Sequence, residues 1–78
     1  MLKTGIDISG EHAVAYIYNN DDETHIISIP YINFSLELDR TLSRETREDA
    51  IIAHLFHMMD EETCEDIAAA ITEVTDKQ

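Results

Sequence analysis

The apolar residues of this chain change their period once, and that change limits the fold more than any other feature. Up to Leu38 they recur at every second residue, and beyond Ser43 they recur at three- and four-residue steps. Alternation is the pattern of a half-buried strand; the longer period is that of a helix with one apolar stripe. Strands first and helices second define an α+β domain. We expect an antiparallel three- to four-stranded sheet, a β-meander, followed by two helices packed on one face. With 78 residues there is room for a single domain over 1–78, and a hydrophobic fraction of 44% can supply its core.

The strand half divides at its turns. Leu2, Thr4, Ile6 and Ile8 alternate with Lys3, Gly5, Asp7 and Ser9, and Ser9-Gly10-Glu11 has the composition of a tight turn. From His12 to Tyr18, Val14, Tyr16 and Tyr18 share one face, while Ala13, Ala15 and Ile17 share the other. Tyr16 is expected beneath the helices. Asn19-Asn20-Asp21-Asp22 makes the second turn, because Asn and Asp tolerate left-handed backbone. The apolar parity then changes across Pro30, from Ile27 and Ile29 to Ile32, Phe34, Leu36 and Leu38. This predicts one long strand bent by a bulge, with two strands and a corner as the alternative. Proline cannot donate a ladder hydrogen bond, so this part of the sheet is expected at an edge.

In the helical half, Ser43 is the expected N-cap, and Ile51, Ile52, Leu55, Phe56 and Met59 form one stripe. A second helix starts at Asp60 or Thr63, where Thr63-Cys64-Glu65-Asp66 has the form of a capping box. Cys64, Ile67, Ile71 and Val74 make its buried stripe.

Charge narrows the function. Seventeen Asp and Glu against five Lys and Arg leave a formal net charge of −12. Such a field repels nucleic acid and anionic membrane and draws in basic partners. Cys64 is the only cysteine, which excludes an internal disulfide. The longest uncharged stretch, Thr24 to Leu36, is too short and too polar for a membrane span. Met1-Leu2-Lys3 leads directly into a strand pattern with no signal-like segment, so a cytoplasmic location is expected.

Histidine and cysteine invite a metal reading, but helical spacing sends His54 to the flank of its stripe, His57 away from it, and Cys64 onto another helix. Four converging ligands, or three and a water, are not available, and neither metal nor cofactor is expected. Cys64 lies on a buried stripe beside Glu61, Glu62, Glu65 and Asp66, a setting that disfavours a thiolate; no catalytic residues are expected. Arg40, Arg44 and Arg47 surround the start of the first helix, where cations oppose the helix dipole. Either they grip an anion or they belong to a local ion-pair network, and Arg44 with Glu48 at four-residue spacing favours the network.

The acidic face of the second helix is the leading candidate surface. Glu62, Glu65, Asp66, Glu73 and Asp76 fall within an arc of roughly 100°, opposite Ile67, Ile71 and Val74. Their spacing of about 5–6 Å is near that of phosphates along a nucleic-acid strand. Like charges at four-residue steps repel, and no lysine or arginine relieves the row until Lys77. The expected function is a non-enzymatic inhibitor or decoy that blocks a basic, nucleic-acid-binding protein. In general character this resembles the small inhibitors that viruses and plasmids make against such machinery. The alternative is an adaptor, or a homodimer joined through a sheet edge, with Tyr18 and Tyr31 as its anchors and the acidic face serving solubility alone.

Overall fold

Four strands and two helices follow the predicted order: β1 (Leu2–Ile8), β2 (Glu11–Asn20), β3 (Thr24–Ile29), β4 (Phe34–Asp39), α1 (Arg44–Leu55) and α2 (Glu61–Asp76). The computed structural model describes every residue except 22 and 78. The sheet is an antiparallel meander in the order β1-β2-β3-β4, with the helices on one face, so the fold is α+β.

Turn chemistry sets the hairpins. Ser9 and Gly10 both have positive φ, 52° and 84°, as a two-residue turn matched to strand twist requires. At the second hairpin Asp21 takes φ 50°, and Glu23 N–H donates to Asn20 O at 3.0 Å. Asn19 and Asn20 stay in β2, while Asp22, the last residue of the expected turn, lies outside the described residues.

The strand expected to bend at Pro30 is corrected. Pro30–Ile32 form a short 3-10 turn, and Asn33 follows in the left-handed region at φ 53° with its N–H on Pro30 O at 3.1 Å. The segment is therefore two strands and a corner, not one bent strand. Proline at the first position of a helical turn gives up no needed donor, and asparagine tolerates the left-handed exit. The chain reverses there and pairs Ile29 with Phe34 and Ile27 with Leu36, so odd positions on β3 face even positions on β4. The change of parity records a reversal, not an inserted residue. The edge expected in this part of the sheet is β4, while β3 lies inside between β2 and β4; the other edge is β1.

The covered face carries Ile6 and Ile8, Ala13, Ala15 and Ile17, Ile27 and Ile29, and Phe34 and Leu38, all buried. Tyr16 lies on the other face, half-buried, and does not sit beneath the helices. Size explains the choice: Ala13 and Ala15 let α2 come close to the sheet, where tyrosines would hold it away. Ile51, Leu55, Cys64, Ile67, Ala68 and Ile71 complete the core from above.

Ser43 caps α1 as expected, accepting from Thr46 N–H at 3.2 Å. The helix stops at Leu55, however, and Phe56 leaves the stripe to become 58% exposed, with Met58 exposed beside it. For α2 the cap is Asp60, which accepts from Thr63 N–H at 3.3 Å and Thr63 Oγ1 at 2.6 Å. Thr63 thus serves the cap instead of forming a capping box of its own.

Candidate partner-binding surfaces

All five carboxylates predicted on α2 are exposed and point away from the buried side of the helix, yet they are not equivalent. Asp76 is held by α1: Arg44 Nη1 meets its Oδ2 at 3.1 Å, and Arg47 Nη2 bonds its Oδ1. Arg44 also reaches Glu48 at 3.1 Å, the local pair that the spacing predicts. Arg47 is buried and donates a further bond to Leu42 O at 2.7 Å. A carboxylate at a helix C-terminus and guanidinium groups at a helix N-terminus both oppose their dipoles. Here each offsets the other, which accounts for Arg44 and Arg47 without an external anion. Asp76 is consequently engaged within the fold.

Glu73 pairs with Lys77 at 3.6 Å, an exposed pair of small worth. Glu62, Glu65 and Asp66 pair with no Lys or Arg among the described residues. The unrelieved part of the acidic row is therefore the N-terminal half of α2. The helix dipole favours negative charge in the first turn, which lowers the cost at Glu62.

The two tyrosines lie elsewhere. Tyr18 is 43% exposed on the uncovered sheet face, in a cross-strand row with Ile26 and Glu37. Tyr16 and Val14 continue this surface along β2. Tyr31 is exposed on the 3-10 corner. Because α2 packs on the opposite face of the sheet, Tyr18 and the carboxylates do not form one site.

The residues considered for metal or nucleophilic chemistry do not converge. His54 Nδ1 is 2.8 Å from Ala50 O of its own helix, and the His57 ring stands edge-on to Phe56 with centroids 5.9 Å apart. Cys64 is fully buried; burial pushes its thiol pKa up, and Asp60, Glu61 and Glu65 push it further. Among the described residues no group of three His, Cys, Asp or Glu side chains is placed to hold a metal ion.

His25 escaped the sequence reading, although its odd position puts it in line with Ile27 and Ile29. It is buried on the covered face, with Nδ1 3.0 Å from Asn19 Oδ1. Burial lowers its pKa below the ordinary 6.5, and the charges of Arg40 and Arg47 add to the effect. The unfolded chain therefore binds a proton that the folded chain resists, and stability should fall as pH drops below about 6.5. Urea midpoints measured at pH 7.5 and 5.5 should show this loss in the parent, and His25→Gln should flatten it. Asp39 and Asp60, whose pKa values are lowered by hydrogen bonds from Thr41 and Thr63, lose their contributions only in stronger acid, below the ordinary 3.8. An unchanged slope in the His25 variant would contradict the assignment.

A meander carrying two helices, with one acidic helix surface and one uncovered sheet face, defines a small α+β domain with two separate exposed surfaces. No described helix is long and apolar enough to cross a membrane. The chain belongs to the family of YueH-like proteins, whose model matches residues 2–77. No curated protein and no solved structure matches it.

Proposed function

We propose that the protein is a non-enzymatic cytoplasmic inhibitor or decoy that lays the N-terminal half of α2 into a basic groove of a nucleic-acid-binding protein. One observation carries this reading. Among the described residues Glu62, Glu65 and Asp66 are exposed and have no cation partner, whereas Asp76 and Glu73 have theirs. Like-charged neighbours on a helix cost a few tenths of a kcal/mol each, and a basic groove would turn that cost into attraction. Binding between exposed charges weakens as salt rises.

The test is capture from nuclease-treated lysate of the native host by the parent and by E62Q/E65Q/D66N, at low and high salt. The parent should retain a basic nucleic-acid-binding protein that elutes with salt and releases its nucleic acid when the domain is added. The variant should not retain it. Equal retention of that protein by parent and variant would overturn the proposal.

A second reading, an adaptor that docks through the uncovered sheet face, is favoured by the surface of Val14, Tyr16, Tyr18 and Ile26. In that case Tyr18→Ala removes binding, the triple substitution does not, and salt has little effect.

A further inference from the structure

We propose that two copies of the chain join along the outer edge of β1, antiparallel and about a two-fold axis at Gly5, so that two four-stranded sheets become one. Among the described residues no element pairs with that edge. It is seven residues long and has neither the proline nor the bulge that commonly protects an edge.

The sequence of β1 is complementary to itself. Gly5 is the midpoint of Leu2–Ile8, so the register with greatest overlap sets Gly5 against Gly5 of the second copy. It sets Lys3 against Asp7 twice, Leu2 against Ile8 twice, and Thr4 against Ile6 twice. Residues facing each other across antiparallel strands share a sheet face. Leu2, Thr4, Ile6 and Ile8 would thus extend the helix-covered apolar face, and two Lys–Asp pairs would form on the open one. In the single chain Lys3 and Asp7 are exposed, and neither has an ion-pair partner among the described residues. The other edge cannot pair this way. β4 carries Glu37 and Asp39 with no cation, so every self-pairing register brings acid toward acid or leaves it unmatched.

A cleft of about 290 Å³ lies between β1 and α2 near the axis, lined by Gly5, Ile6, Asp7, Asp66, Ile67 and Ala70. Asp66 lines this cleft beside Gly5, so in the dimer the Asp66 of each copy would stand on the seam side of α2. Each copy also carries a net charge of −12. Long-range repulsion therefore opposes the dimer, and added salt strengthens it. This is the reverse of the salt response of the acidic-face complex, so the two can fail independently.

Sedimentation equilibrium of the parent, of K3D and D7K alone, and of the two variants mixed tests the seam. The parent should dimerise, more tightly as salt rises. K3D and D7K should each weaken self-association about tenfold or more, because two attractive pairs become two repulsive ones. Mixed in equal amounts they should pair with each other, since the acidic seam of K3D meets the basic seam of D7K. A parent that stays monomeric up to about 1 mM would overturn the proposal. So would a dimer indifferent to K3D, or single variants that remain apart when mixed.

Discussion

Replacing Ile71 with alanine should remove about 3–4 kcal/mol of folding stability, the largest loss expected from any single truncation considered. Ile71 is fully buried at the middle of α2, the helix that packs on both β1 and α1. Truncation removes the transfer free energy of its outer carbons and leaves a space that the sheet cannot collapse into. In a domain of this size each kcal/mol lowers the melting temperature by about 4–8 °C, so the drop should be about 15–25 °C. Val74 on the same helix is only half-buried, and Val74→Ala should cost about 1 kcal/mol or less. Thermal and urea unfolding followed by circular dichroism give both values. Equal losses at the two positions would mean that α2 does not rest on the face described.

Asp76→Ala should cost about 2–3 kcal/mol, a large effect for a surface carboxylate at the end of a helix. The reason is Arg47. Its side chain is buried, its Nε has no partner among the described residues, and without Asp76 its charge would be left there with Leu42 O. Removing one member of a fully buried pair costs about 3–5 kcal/mol; the Asp76 side chain is 34% exposed, and solvent screening reduces the figure. Arg47→Met replaces the guanidinium with an apolar chain and leaves Asp76 paired with Arg44, so it should cost about 1 kcal/mol or less. The double substitution should be more stable than Asp76→Ala by itself, because the stranded charge is gone. That order is the signature of a structural ion pair. If Asp76→Ala proves neutral, the carboxylate is free for a partner and rejoins the acidic face.

Much of the fold follows from local pattern. Period two and period 3.6 are properties of strand and helix geometry, so Ile6 and Ile8, or Ile67 and Ile71, declare their elements without neighbours. Ser43 and Ser9-Gly10 act within three residues of themselves and are equally legible. Pro30 was harder, since a bulge and a chain reversal both change parity and differ only in which strand lies alongside.

The candidate surfaces divide in the same way. Exposure of Glu62, Glu65 and Asp66 follows from the helical wheel alone. The engagement of Asp76 does not, because its partner Arg47 is 29 residues away and meets it only when α1 and α2 pack together. Phe56 has the right spacing for the stripe, but α1 ends at Leu55 before it can turn inward.

By itself, then, the sequence determined the succession of strands and then helices, the buried stripe of α2 and its one-sign face, all of them consequences of geometry within a few residues. Tertiary structure alone decided which face of β2 is covered, which carboxylate is spent on arginines, that His25 is buried, and that β1 is left as an open edge. Each of these depends on the close approach of segments far apart in the chain, and no short-range periodicity encodes that approach.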